Sequence, residues 1–256
     1  MLRHRVIPVL LHDTDGLVKT RQFREPVYVG DPINAVRIFN EKQVDELVLL
    51  EISRSRLGLG PDFALVERVA SECFMPLAYG GGVRDPEDAR ALFTRGVEKV
   101  VVQTAALKDL DTVRKIADRT GSQSVAVSVD LLLAGPSHYK LWRSSVGRVS
   151  DVDWRAWLRA IQAAGAGEVL LTSVAREGSM SGFDLELIRT AAAELTVPLV
   201  AQGGAGSIKD LAEAVGAGAD AVAAGSLFVF HRSRTGVLLS YPEYSQLEER
   251  LGSQDG

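Results

Sequence analysis

Short apolar runs alternate with longer amphipathic segments along the chain. The apolar runs carry little polar alternation, which is typical of parallel strands buried on both faces. They predict eight strands, at residues 6–11, 46–52, 75–79, 99–102, 124–129, 168–171, 197–200 and 221–224. The segments between them predict helices; those at Asp31-Pro32 and Asp85-Pro86 begin with an N-cap residue and a proline. Eight strand–helix alternations favour an α/β fold, a single (β/α)8 TIM barrel.

The second half of the chain repeats the first at a constant offset of 122 residues. Gly81 matches Gly203 and Thr104 matches Ser226, and the register runs without a gap from residue 46 onward. A long internal repeat decides the architecture, because both copies are expected to fold alike. We therefore predict one barrel domain, residues 1–256, built from two duplicated half-barrels of four strand–helix units each.

Two segments interrupt the alternation. Residues 12–30 contain glycine, lysine and proline and no predicted element, and loops of this length are usually lids or binding loops. We expect such a loop here. Residues 134–150 combine Gly, Pro and Ser with the apolar Tyr139, Leu141 and Trp142, which predicts a hairpin-bearing insertion.

Composition narrows the class of protein. The chain is 46% hydrophobic and 24% charged, with a net charge of −4 and a pI near 5.7. This is ordinary globular composition, and the acidic balance disfavours nucleic acid or an anionic membrane as a partner. Cys73 is the only cysteine, which excludes an internal disulfide. The first apolar run is too short for a secretory signal and no stretch approaches the length of a membrane span, so we expect a cytoplasmic protein.

Four of the predicted strands end in small residues, at the end of the barrel where active sites lie. Strands three and seven are followed by Gly81-Gly82 and Gly203-Gly204, and strands four and eight by Thr104-Ala105 and Gly225-Ser226. Exposed backbone N–H groups next to a helix N-terminus bind phosphate. The repeat thus predicts two phosphate sites, on opposite sides of one mouth, for a phosphate-bearing small molecule. Alternatively, the glycines serve only turns with positive φ.

Asp130 is a carboxylate at the end of the fifth strand. A carboxyl withdrawn from water has a tunable pKa, which acid–base catalysis needs, although a structural loop cap is the alternative. The half-repeat places Leu11 opposite Asp130, and leucine carries no proton. His12 and Asp13 follow Leu11 directly, and we expect both to point away from the mouth.

Four charged residues begin strands at the opposite end of the barrel, the floor: Arg5, Glu46, Lys99 and Glu168. Barrel interiors are normally filled by branched apolar side chains. Alternating charges predict a salt-bridged ring, which is either a stability device or a gated opening through the floor.

Several dispersed stretches occur in a family-specific order: RVIP, GLVK, YGGGVRDPEDAR, GAGEVLLTS and QGGAG. With these stretches the chain resembles the cyclase subunit of imidazole glycerol phosphate synthase, the HisF family, over nearly its whole length. The resemblance implies that a glutaminase docks on the floor and that ammonia crosses a charged gate formed by the four floor residues. It places Glu98 toward the glutaminase, and Lys19 and Asp130 among the catalytic residues. It implies no metal and no cofactor.

The departures from the family point to a sister branch. The family closes and cleaves its substrate with two aspartates; Asp130 matches one, and Leu11 occupies the position of the other. Gln103 replaces an asparagine, and the loop after strand six reads VAREGS instead of IDRDGT. Stretches such as YVGDPINAVRIFNEK and VLLSYP resemble the HisF-like proteins of bacterial surface-polysaccharide synthesis. With a glutaminase and an ATP-dependent amidotransferase, these convert an acetamido group on a nucleotide sugar to acetamidino.

Two other functions stay open at this point. One is the cyclase subunit of histidine biosynthesis, with an acid such as Asp13 in place of the missing one. The other is a scaffold without catalysis that activates the glutaminase and channels ammonia onward.

Overall fold

Strands and helices alternate along the chain as the hydrophobic pattern predicts. The computed structural model describes residues 4–231 and 236–252. The strands are β1 (Arg5–Asp13), β2 (Gly16–Arg21), β3 (Arg24–Gly30), β4 (Leu47–Glu51), β5 (Leu77–Gly80), β6 (Lys99–Val102), β7 (Val125–Gly135), β8 (His138–Arg143), β9 (Arg148–Val149), β10 (Glu168–Ser173), β11 (Leu199–Gln202), β12 (Ala221–Ala224), β13 (Phe230–His231) and β14 (Gly236–Val237).

Eleven α-helices lie in the described ranges. They are α1 (Pro32–Glu41), α2 (Arg54–Leu57), α3 (Phe63–Ala70), α4 (Pro86–Phe93), α5 (Thr104–Lys108), α6 (Asp111–Thr120), α7 (Trp154–Ala163), α8 (Leu185–Ala192), α9 (Ile208–Gly216), α10 (Ser226–Val229) and α11 (Tyr244–Leu251). The short helices α2, α5 and α10 were not predicted, and α11 begins three residues later than predicted. None of the helices in the described ranges is long and apolar enough to cross a membrane.

Eight parallel strands close into a barrel, which confirms the predicted fold. Their order around the barrel is β1, β4, β5, β6, β7, β10, β11 and β12, and β12 returns to β1. Arg5 pairs with Ala221 across this last contact, and Glu168 pairs with Ala126 between β10 and β7. The first and the last strand of the barrel therefore pair with each other.

Side chains divide into two packed layers. Alternate residues of the strands, among them Ile7, Val48 and Ala126, fill the barrel interior. Their neighbours along the strands pack outward against the helices in a much larger cluster. A parallel strand covered on both sides is apolar at nearly every position, which explains the continuous runs in the sequence.

The predicted duplication recurs in individual contacts at the offset of 122 residues. Asp31 and Asp153 both cap helices, accepting from the backbone N–H three residues on at 3.0 and 2.7 Å. Leu47 N–H donates to Pro76 O, and its repeat partner Val169 donates to Pro198 O, both at 2.9 Å. The two halves therefore share hydrogen bonds as well as sequence.

Two hairpins extend the barrel strands above the mouth. The prediction of a loop for residues 12–30 is wrong: β1 continues to Asp13 and pairs with β2, which pairs with β3. Its glycines and proline are typical of loops, yet residues 16–20 of β2 are buried, whereas β3 is mostly exposed. The predicted hairpin in residues 134–150 is confirmed, since β7 continues past Asp130 and pairs with β8.

Candidate active site

A cavity of about 270 Å³ opens at the carboxyl ends of the barrel strands, and we call it the mouth cavity. Gly81, Gly82 and Thr104 border it on one side and Asp130 and Ser144 on another. The sequence predicted that the first glycine turn and Asp130 would share one mouth, and the structure brings them together.

Asp130 is buried and accepts hydrogen bonds from three side chains. Gln103 Nε2 donates to Oδ2 at 2.6 Å, Ser144 Oγ donates to the same oxygen, and Ser128 Oγ donates to Oδ1 at 3.1 Å. Burial raises the pKa of Asp130, and these donors oppose the rise. The carboxyl is thus held in one orientation with a perturbed proton affinity, which suits acid–base chemistry.

Leu11 lies in the wall of the mouth, as predicted from the half-repeat. It is only 7% exposed and belongs to the apolar cluster that fills the barrel. Asp13 also lines the mouth cavity, so the expectation that it points away is wrong. His12 does turn aside, and its Nδ1 lies 2.6 Å from Glu51 Oε2 in a buried pair.

The first glycine turn needs glycine for steric reasons. Gly81 has φ of 125° and Gly82 has φ of 73°. A Cβ at Gly81 would overlap the carbonyl oxygen of Glu51, and one at Gly82 would lie 2.7 Å from Leu59 O. Thr104 begins α5, and with Gly82 and Ala105 it also borders a side cavity of about 300 Å³. The turn therefore leaves room at its surface for a ligand.

The second glycine turn borders a separate and smaller cavity. Gly203 and Gly204 have φ of 95° and 114°, and with Gly225 and Ser226 they line a space of about 20 Å³. Lys19 lies in the same space, so we call it the Lys19 cavity. Both sets of predicted phosphate-binding residues thus lie around cavities.

Lys19 is buried beside the second turn. Its Nζ donates to Val9 O at 2.5 Å, and a Cβ on Gly225 would overlap this ammonium group. Burial lowers the pKa of Lys19 to about 8, and the charge of Glu177 opposes that shift. Glu177 is also buried, and burial raises its pKa while Lys19 and a backbone donor oppose the rise. Two buried groups of opposite charge therefore hold pKa values displaced toward each other.

The four floor residues form the predicted ring. Arg5 contacts both Glu46 and Glu168, and Lys99 contacts the same two carboxylates, with Nζ 2.9 Å from Glu46 Oε1. Both glutamates are buried, whereas the Arg5 side chain is 36% exposed. Each cation bridges two anions, so the ring closes the apolar interior with balanced charge.

Glu98 lies beside the ring rather than in it. With Glu46, Lys99 and Arg119 it lines a surface groove of about 670 Å³ at the floor. The groove is open to solvent on the side where the resemblance places a partner.

Comparison with known proteins decides the family. A model of the family described as histidine biosynthesis protein matches residues 5–234. Two relatives are named "Putative imidazole glycerol phosphate synthase subunit": hisF2 of Pseudomonas aeruginosa is 49% identical over 97% of this chain and 99% of its own, and HisF of Leptospira interrogans is 42% identical over 97% and 98%. Imidazole glycerol phosphate synthase subunit HisF of Dictyoglomus thermophilum is 39% identical over 90% and 91%.

The chain belongs to the HisF family of histidine biosynthesis proteins. The resemblance drawn from its motifs is confirmed, and so is its assignment as an enzyme, a HisF-like synthase subunit. The roles of the individual site residues stay predictions.

Sequence reasoning missed several residues of this HisF-like site. Ser144 reaches Asp130 from the turn after β8, and Glu177 and Gln202 lie between the two cavities. Gln202 directly precedes the second glycine turn, so its position at a strand end was a readable signal. Ser144 gave none, because only the folded hairpin carries it to Asp130.

Lys19 should make stability depend on pH in the alkaline range. Its pKa is about 8 when folded and near 10.5 when unfolded, so the unfolded chain binds more protons between these values and stability rises with pH. Between pH 8 and pH 10 the gain relative to Lys19→Met should be about 2 kcal/mol. Urea unfolding at both pH values measures it.

Lys209→Met is the matched control, because Lys209 is 83% exposed. It should follow the wild-type pH dependence. Parallel curves for wild type and Lys19→Met would show that Lys19 titrates normally.

Proposed function

We propose that this HisF-like subunit receives ammonia from a glutaminase at the floor and uses it at the mouth to form an acetamidino group on a nucleotide sugar. The observation that carries the proposal is Leu11 in the mouth wall opposite Asp130. Ring closure and cleavage in the family rely on two aspartates at these positions. A buried leucine can neither accept nor donate a proton, so the cyclase reaction loses one of its two acids.

Addition of ammonia to an activated acetamido carbon makes different demands. It needs an electrophile held in place, a route for ammonia and a proton acceptor. Asp130, fixed by Gln103 and Ser144, can orient the acetamido group or exchange a proton with it. An ATP-dependent amidotransferase partner would supply the activation of the acetamido oxygen.

The barrel interior supports the ammonia route. Small side chains, Ala78, Ala126, Ala221 and Ala223, occupy part of the apolar interior above the floor ring. Ammonia is small and uncharged, so an apolar interior admits it more readily than ammonium. The charged ring below would then be the gate, and the groove beside Glu98 the docking surface for the glutaminase.

The two glycine turns support a substrate with phosphate groups. Thr104 and Ser226 each begin a short helix beside a pair of glycines with positive φ. A hydroxyl and nearby backbone N–H groups are the donors that phosphate oxygens take. A nucleotide sugar offers a diphosphate, and the cyclase substrate offers phosphates at both ends.

The runner-up is the cyclase subunit of imidazole glycerol phosphate synthase. It is favoured by the position of Asp13, which lines the mouth cavity two residues after Leu11. The names of the relatives also agree with it. A scaffold without catalysis would keep the floor ring and would need no chemistry at Asp130.

Restoring an acid at position 11 should distinguish the proposed acetamidino-forming enzyme from the cyclase. Wild type should turn over the histidine-pathway substrate slowly or not at all with excess ammonium salt, because one acid contributes about 10²–10⁴-fold in rate. Leu11→Asp should recover part of the rate, and Leu11→Asn should not, since an amide carries no titratable proton. Product formation is followed, because binding alone can persist. Cyclisation by wild type at an ordinary rate would support the runner-up.

The phosphate sites should be separable with inorganic phosphate as the probe. Thr104→Val and Ser226→Ala should each weaken one of two binding events by about fivefold, the value of one hydrogen bond near 1 kcal/mol. Phosphorus NMR titration measures both events. Thr94→Val is the control, since the exposed Thr94 hydroxyl only reaches Ala91 O. Equal affinities in all four proteins would leave the turns as structural elements only.

Charge reversal in the floor ring should uncouple the complex. Lys99→Glu places a third carboxylate beside Glu46 and Glu168, which opens or distorts the ring without touching the mouth. We expect less product per glutamine hydrolysed, with turnover on added ammonium salts retained. Lys209→Glu on the surface is the matched control. Unchanged coupling would favour a stability role for the ring.

A further inference from the structure

Three residues separate the two cavities at the top of the barrel. Leu11, Glu177 and Gln202 are the described residues that line both the mouth cavity and the Lys19 cavity, and we call them the partition. They come from β1, from the loop after β10 and from the end of β11. The partition therefore lies where the barrel interior meets both halves of the mouth.

Gln202 has unused hydrogen-bonding capacity in the partition. Its Oε1 is buried and accepts from no residue in the described ranges. A buried acceptor without a donor costs about 1–3 kcal/mol, so such groups are usually explained by strain or by a ligand. Gln202 has ordinary strand backbone, so strain gives no explanation. A ligand N–H in the partition would satisfy it.

Glu177 supplies a carboxyl that lines the same two cavities as Gln202. Phe23 N–H donates to its Oε2 at 3.2 Å, which ties it to the turn between β2 and β3. The charged group that acts on it is Lys19, in the adjacent cavity. Burial raises the pKa of Glu177, which makes it a better proton acceptor than an exposed carboxylate.

The other carboxyls of the mouth are less suited to this task. Asp130 is engaged by Gln103, Ser128 and Ser144. Glu51 accepts from Ser53 N–H at 2.8 Å and lies beside His12. Asp13 lines the mouth cavity but not the Lys19 cavity, and it is half-buried.

We propose that the partition is the ammonia reception site: Gln202 Oε1 accepts a hydrogen bond from ammonia, and Glu177 takes the proton that the nitrogen releases. This rests on the proposed function, since it assumes that ammonia reaches the mouth. It places the proton acceptor on the side of Leu11, where the family's second acid is missing.

The step balances as follows. The ammonia lone pair forms the N–C bond, and the π electrons of the activated carbon move onto its other heteroatom. The nitrogen becomes positively charged and passes one proton to the Glu177 carboxylate. The electron pair on that heteroatom then re-forms the double bond to carbon, and the oxygen, activated as a phosphate-type ester by a nucleoside triphosphate, leaves with its bonding electron pair. Lys19, as a cation, stabilises the Glu177 carboxylate before the transfer.

The first test needs no substrate. Infrared difference spectra of the isolated barrel should contain a carboxylate band that Glu177→Gln removes and Asp15→Asn, on the exposed turn after β1, retains. Ammonium chloride at pH 8.5 should shift this band, whereas potassium chloride at the same ionic strength and pH should not, because ammonia bound at Gln202 would lie near the Glu177 carboxylate. Gln202→Leu should raise the ammonia concentration needed by about tenfold or more. An ammonia-independent carboxyl signal would overturn the proposal.

The second test uses turnover with ammonium salts in the presence of the amidotransferase and a nucleotide sugar. Glu177→Gln should lower kcat by about 10²–10³-fold, and Gln202→Leu should mainly raise KM for ammonia. Glu177→Asp should restore part of kcat. Loss of turnover in Asp13→Asn instead of Glu177→Gln would overturn the proposal. An inactive wild type would contradict the proposed function, while the infrared test still decides the role of Glu177.

Discussion

Closure of eight parallel strands is the constraint on which the rest of this molecule depends. It fixes which alternate side chains face the interior and sends their neighbours against the helices. It also sets every strand's carboxyl end at one rim. Arg5 contacts Glu168, and Leu11 and Gln202 line the same cavities, only because β12 returns to β1 and β7 pairs with β10.

The interior is apolar between two charged ends. At the floor, two cations and two carboxylates neutralise each other in a ring, so removal of one member leaves the buried ring with an unbalanced net charge. At the mouth, Asp130 and the Lys19–Glu177 pair are instead buried with perturbed pKa values. The paired charges of the floor ring are suited to stabilising the fold or to gating. The mouth groups, whose pKa values are displaced, are suited to proton transfer.

Duplication supplied two similar glycine turns, and divergence made their surroundings different. The first opens to the large mouth cavity, whereas the second lies beside Lys19 in a much smaller space. The hairpin of β2 and β3 accounts for the difference, since it carries Lys19 inward and contacts the loop at Glu177 through Gln22 and Phe23. The same backbone turn thus serves two chemical environments.

The sequence by itself determined the barrel, its duplication, the floor ring and the residues at the strand ends. These follow from local rules: apolar runs of strand length, a constant repeat offset, and residue types at fixed positions relative to each strand. Asp130, Leu11 and the glycine turns were readable in this way. The hairpin at residues 12–30 was not, because its glycines and proline are typical of loops and its strands show no alternation of buried and exposed positions.

Only the tertiary structure decided which side chains meet. The contact of Ser144 with Asp130 depends on how β8 folds back on β7, and the partition of Leu11, Glu177 and Gln202 depends on barrel closure. These residues are far apart in sequence and share no periodic pattern. Their proximity is set by strand pairing and by burial, which perturb pKa values in ways that residue identity alone does not encode.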